Sequence, residues 1–144
     1  LAVAGHDHTE IPSSYSAKMS IPYATAAGLI YGKAGPQEFS EEAVQDPTIL
    51  DLTKKVKVSA DEELSAVFPS MQAAIVTIRT ANGEYTDRVD FPKGEPENPL
   101  DEQEFRDRYD GLMSYASIDS ALSAAVFDTV YRKNATVDEL VKKL

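Results

Sequence analysis

Apolar residues recur at helical spacing through Met19, Tyr23, Ala26, Ala27, Ile30 and Tyr31, which predicts a helix. Ser20 stands where an N-cap belongs, Pro22 falls in the first turn, where a missing N–H costs little, and Gly32 with Gly35-Pro36 supplies the stop. Ahead of it, Gly5 to Ser16 is polar and turn-rich, and Leu1-Ala2-Val3-Ala4 reads as a strand in progress. Ser40 before Glu41, Glu42 and Ala43, and Asp46-Pro47 before Thr48 to Lys54, predict two short helices with acidic starts and a basic end. Val56-Lys57-Val58 alternates as a strand does, Asp61 to Val67 fits one or two helical turns, and Pro69 ends them.

Ala74 to Thr80 and Tyr85 to Phe91 are β-rich runs around Ala81-Asn82-Gly83-Glu84, and Asn-Gly is the preferred pair of a type I′ hairpin turn. Phe91 to Pro99 is proline-rich and cannot continue a central strand, so it reads as a linker or a functional loop. From Asp101 the pattern turns helical, with Phe105, Tyr109, Leu112 and Met113 on one stripe and Ile118, Leu122, Ala125, Val126, Thr129 and Val130 on the next. Thr136 with Glu139 makes a capping box before Leu140 and Leu144. The expected fold class is α+β: a small mixed α/β domain with an antiparallel hairpin over residues 1–92, a linker loop over 93–100, and an all-helical tail over 101–144.

Composition adds exclusions. With 42% hydrophobic and 26% charged residues the chain fits a soluble globular domain and has no apolar run able to span a bilayer. Fourteen basic against twenty-four acidic residues leave a net charge of -10, which repels phosphate backbones and anionic lipid, so neither nucleic acid nor a membrane is an expected partner. An anionic substrate would need a local cation, and Lys18 and Lys93 are the candidates. The absence of cysteine removes disulfides, thiolate nucleophiles and Cys-based zinc sites. Leu1 to Gly5 lacks a signal peptide's basic start, so a cytoplasmic location is expected, and the strand-like opening suggests a piece of a longer chain.

Few residues stand out for chemistry. His6 and His8 lie two apart, so on a strand they would face one side as a metal pair or proton relay; a polar loop leaving the strand explains them more simply. There is no Gly-x-Ser-x-Gly elbow and no phosphate-cradling glycine loop. Asn134-Ala135-Thr136 is formally a glycosylation triplet, though capping explains Thr136. Lys18-Met19-Ser20-Ile21-Pro22-Tyr23 places a cation, a hydroxyl and a phenol at a helix start, where free N–H groups suit a carboxylate and Tyr23 could give a proton. The structural alternative is that Ser20 caps and Tyr23 packs. Lys93-Gly94 is similarly either an anion anchor or a turn.

Ala17-Lys18-Met19-Ser20-Ile21-Pro22-Tyr23-Ala24-Thr25-Ala26 resembles the Ala-Lys-Phe-Ser-Leu-Pro-Tyr segment of the MmgE/PrpD family, and Pro92-Lys93-Gly94-Glu95-Pro96-Glu97-Asn98-Pro99-Leu100 resembles its Pro-Lys-Gly-x-Pro-x-Asn-Pro segment. The resemblance implies a C-terminal portion of a lyase or isomerase acting on small polycarboxylates, such as 2-methylcitrate dehydratase, cis-aconitate decarboxylase or iminodisuccinate epimerase. It implies proton abstraction beside a carboxylate without metal or organic cofactor. It further implies a larger helical domain, contributed in part by an N-terminal helical portion absent here, with the active site between that domain and the α+β one and a homo-oligomer as the assembly. By the same comparison Tyr23 is the catalytic candidate and Lys18, Ser20 and Lys93 the substrate-binding ones; the family's other acid and base residues have no counterparts, and His6 and His8 fall after its expected histidine. Met19 replaces the usual phenylalanine, a packing change. The chain alone is then expected to be inactive. The alternative is a non-catalytic α+β interaction module, whose tail would pack on its own α+β part and leave no large apolar face uncovered.

Overall fold

The structure, a computed structural model, describes residues 4–132 and 135–143. Of the strand expected at Leu1-Ala2-Val3-Ala4, the first three residues lie outside the described residues, as do the triplet residue Asn134 and the terminal Leu144, and Ala4 lies in a turn. Among those described, seven α-helices and one two-stranded antiparallel sheet follow one another in an α+β order.

The predicted helix is α2 (Ile21–Tyr31), with Ser20 accepting from the Tyr23 N–H, Pro22 in the first turn and Gly32 as the left-handed C-cap. A short helix the periodicity did not show, α1 (Ser14–Lys18), precedes it under a Ser13 cap, and Met19 ends it. Five residues are too few for an apolar stripe to register. Of the two short helices expected after Ser40, the first is only a 3-10 turn at Ala43–Gln45, preceded by another at Pro36–Phe39; the second is α3 (Pro47–Thr53), capped by Asp46. α4 (Glu62–Val67) follows its Asp61 cap.

The core lies within this first stretch, where Ala17, Tyr23, Ala26, Ala27, Val44 and Ile49 are buried and Ile11, Phe39, Leu50 and Leu52 pack around them. Alanines on α2 let α3 approach closely, and burying one aromatic or branched side chain contributes roughly 1.5–3 kcal/mol. Val56-Lys57-Val58 is irregular and not a strand. A three-residue alternation needs a neighbouring strand to hold it, and the sheet consists of the hairpin alone.

That hairpin pairs β1 (Ala74–Thr80) with β2 (Gly83–Val89), from Ala74 opposite Val89 to Thr80 opposite Gly83. Its two central turn residues are therefore Ala81 and Asn82, and neither has the positive φ a type I′ turn requires. The Thr80 hydroxyl accepts from the Asn82 N–H and donates to the Gly83 carbonyl, which shifts the turn back by one residue and leaves the positive φ to Gly83. Both strands are exposed, with only Ile78 half-buried.

The helical tail comprises α5 (Glu102–Tyr115), α6 (Ser120–Tyr131) and α7 (Val137–Val141), each with the cap its sequence offers: Asp101, Asp119 and Thr136. Phe105, Tyr109, Phe127 and Tyr131 form an aromatic cluster between α5 and α6, with the Arg106 guanidinium 3.6 Å above the Phe127 ring. α5 also touches the 3-10 turn at Pro36–Phe39, which joins the tail to the first core.

Candidate functional site

The α1–α2 turn carries three of the four residues singled out above, and the polar segment before α1 lies across it. His6 grips the turn twice: its carbonyl accepts from the Ile21 N–H at 2.8 Å, and its Nδ1 donates to the Met19 carbonyl at 2.8 Å. His8 follows on the same segment with Nδ1 3.2 Å from the Gly5 carbonyl and Nε2 near both the carbonyl and the hydroxyl of Ser16. The Ser20 hydroxyl, buried, donates to the His8 carbonyl at 2.7 Å while accepting from the Tyr23 N–H. Both histidines thus serve as clamps, and two residues apart on an irregular segment they have separate partners. Among the described residues no group of three or more His, Cys, Asp or Glu side chains is placed to hold a metal ion.

These contacts close the start of α2. The Ile21 N–H goes to His6, Pro22 has none, the Tyr23 N–H goes to the Ser20 hydroxyl and the Ala24 N–H to the Ser20 carbonyl. The free N–H groups expected to receive a carboxylate there are all taken, which leaves Ser20 the role of cap.

Tyr23 is fully buried, its ring 5.3 Å from Phe39 and its hydroxyl donating to the Glu38 carbonyl at 2.8 Å. A phenol has one proton to give, so this bond excludes donation to a ligand in the same conformation. Burial first, then the nearby phenol of Tyr31 and the carboxylates of Asp46 and Glu38, push its pKa up to about 12. Glu38 is itself buried, its carboxylate accepting from the Gly35 N–H at 2.9 Å and pairing with Lys33 at 3.3 Å. No pattern in the sequence singled out Glu38, because its part in this contact is played by the backbone carbonyl.

Lys18 is exposed and makes no ion pair among the described residues. Lys93 is engaged: its Nζ lies 2.8 Å from the Glu104 carboxylate. That carboxylate also accepts from the Asp101 N–H in the capping box of α5, and the Lys93 hydrogen bond, then the Asp101 N–H, hold its pKa below the usual value. The surrounding loop closes on itself, with Gly94 N–H donating to the Asn98 carbonyl and the Asn98 amide donating to the Phe91 carbonyl. Gly94 has φ +104, a conformation other residues rarely adopt, which explains the glycine after Lys93. No hydrogen bond or ion pair among the described residues links Lys93 to Lys18, Ser20 or Tyr23.

Two surface grooves lie elsewhere. One is lined by Ile30, Pro47, Thr48, Asp51, Leu52 and Lys55, the other by Thr9 to Pro12 with Leu50 and Lys54. Both are shallow. Among the described residues no buried side-chain nitrogen or oxygen lacks a partner, so no orphaned polar atom inside the chain awaits a ligand.

Comparison with known families decides the kinship. The profile of the MmgE/PrpD C-terminal domain matches residues 2–143. The chain belongs to the MmgE/PrpD family. No curated protein sequence matches it significantly. The two MmgE/PrpD-like motifs thus have definite structural places: the first forms the end of α1 and the start of α2, and the second forms the closed loop that Lys93 fastens to α5. Of the two motif lysines, Lys18 is the one with no ion-pair partner among the described residues.

Proposed function

We propose that this domain is the C-terminal part of a cofactor-independent lyase or isomerase that removes a proton alpha to a carboxylate of a small polycarboxylate, as 2-methylcitrate dehydratase does. The observation that carries the reading is the family match over residues 2–143 together with an unpaired Lys18 on the α1–α2 turn. An exposed ammonium on a short, doubly pinned turn can neutralise a substrate carboxylate, and in a chain with a net charge of -10 an anion needs such a local cation. Ser20 and Tyr23 act through the fold, fixing the turn from which Lys18 projects. Lys93 sets the entry angle of α5 through Glu104.

The tail also bears on the choice. Phe105, Leu112, Tyr115, Ile118 and Val130 are exposed, so the tail does not bury its apolar residues on its own α+β part as a self-contained interaction module would. An N-terminal helical portion or a second copy supplies the cover in this proposal, with the active site completed at that boundary.

The test is turnover by the full-length protein with Lys18→Met. Loss of one charge-assisted contact of about 1.5–3 kcal/mol should raise KM about ten- to a hundredfold. An unchanged KM on a substrate that is turned over removes Lys18 from the site.

A further inference from the structure

Among the described residues β1 and β2 make up the whole sheet, so each strand has one edge without a neighbour. Thr80 and Gly83 flank the two-residue turn as a hydrogen-bonded pair, and the pairing alternates from there. Ile75, Thr77 and Arg79 therefore turn their N–H and C=O groups outward on β1, as Glu84, Thr86 and Arg88 do on β2. Two contacts agree with this alternation. The Thr77 and Thr86 hydroxyls lie 2.9 Å apart, as side chains do across a pair that exchanges no backbone bond, and the Arg88 N–H turns to the Asp87 carboxylate at 2.9 Å.

The two edges differ in chemistry. β2 is guarded: Glu84, Asp87 and Arg88 are charged, and Asp87 occupies one outward N–H. β1 runs Ala-Ile-Val-Thr-Ile without charge or proline, and among the described residues no hydrogen bond engages its outward N–H and C=O groups. Its one charge, Arg79, is already paired with Glu84 of the same hairpin. Ile75 and Val76 are exposed, as are Tyr85 and Val89 on the partner strand, and a two-stranded hairpin is marginal by itself. We propose that β1 pairs antiparallel with β1 of a second copy about a two-fold axis at Thr77, joining two hairpins into one sheet.

The strand is complementary to itself in this register. Outward groups must meet outward groups, so Thr77 stands opposite Thr77 of the second copy and Ile75 opposite its Arg79, with all seven residues overlapping. Val76 then lies against Ile78 of the second copy, apolar on apolar, on the same face as Tyr85 and Val89. No unpaired charge enters the joint, which matters between chains that each carry -10. Val56-Lys57-Val58 is irregular and too short to cover this edge. The contact does not depend on the lyase reading.

The chain has no cysteine, so introduced thiols report on this contact alone. Val76→Cys chains mixed with Ile78→Cys chains and oxidised should form disulfides between unlike chains, and form them faster than either variant does with itself, because only the unlike pair stands directly opposite. Thr77→Pro in both partners removes an outward N–H and no bond within the hairpin. It should slow the mixed crosslink by about tenfold or more, since each copy loses a ladder bond at the axis. Thr86→Pro makes the same change on the other edge, with the same loss of the hydroxyl contact, and should leave the crosslink within about twofold. No mixed disulfide, like chains linking as fast as unlike ones, or equal losses from the two prolines would each overturn the proposal.

Discussion

The Tyr23 hydroxyl has one proton, and the Glu38 carbonyl receives it inside the core. Tyr23→Phe therefore leaves a buried carbonyl without its donor, at a cost of about 1–3 kcal/mol, and the melting temperature should fall while kcat stays within a few-fold. A loss of more than tenfold in kcat with the fold intact would instead put the phenol among the reacting groups. The same residue predicts an alkaline effect. Its pKa is raised from 10.0 to about 12, so the stability it contributes is complete below pH 10 and is lost as the pH climbs toward 12, where the unfolded chain ionises first. Urea unfolding at pH 9 and pH 11 should show a smaller drop for Tyr23→Phe than for the unsubstituted chain. At this scale the sequence disclosed residue types and left their roles open. Ser20 was legible as a cap because capping is local, whereas the commitment of Tyr23 to Glu38 depends on how the Pro36–Phe39 turn packs, which no spacing encodes.

Elements with chemical punctuation at their starts form where expected: Asp46-Pro47 before α3, Asp61 before α4, Asp101 before α5 and Thr136 before α7. A cap satisfies donors within one turn, so the signal and its consequence are adjacent in the chain. Val56-Lys57-Val58 failed because a strand depends on a distant partner, and the hairpin turn moved by one residue because the Thr80 side chain supplies bonds the dipeptide rule ignores. The α3 cap gives a prediction with a sign. The Thr48 N–H, foremost, then the Thr48 side chain and the Tyr31 hydroxyl hold the Asp46 carboxyl below its ordinary 3.8. The stability it lends is present above that value and is lost as the pH falls below it through the lowered folded-state value. Asp46→Asn keeps a capping oxygen and removes the titration, so between pH 6 and pH 3 its melting temperature should fall less than that of the unsubstituted chain. An equal fall would show that the cap is not held by its charge. At the second motif, Glu104→Gln loosens the grip on Lys93, and limited proteolysis should then cut faster between Phe91 and Pro99.

The whole chain exposes 10577 Å². A compact monomer of 15.7 kDa exposes roughly 7,300 Å², so about 3,300 Å² more than expected faces solvent, an area larger than one partner's share of a standard interface. Exposed apolar residues lie on the hairpin, among them Ile75, Val76 and Val89, and on α5 and α6, among them Leu112 and Val130. Association between copies of this chain is the predicted outcome in sedimentation at micromolar concentration, weakened by Leu112→Glu and Val130→Glu; a monodisperse monomer with a cooperative melt would contradict it. The α+β class was legible because helical and alternating apolar patterns lie in separate stretches, but this uncovered surface was not, since a pattern of apolar positions does not say what covers them. The deciding experiment is turnover by the full-length protein on 2-methylcitrate, citrate, cis-aconitate and iminodisuccinate, followed by alkene absorbance and product release, with and without Lys18→Met. Turnover of at least one of them is expected, with KM raised about ten- to a hundredfold by the substitution. A well-folded protein silent on all four, or one indifferent to the loss of Lys18, would contradict it.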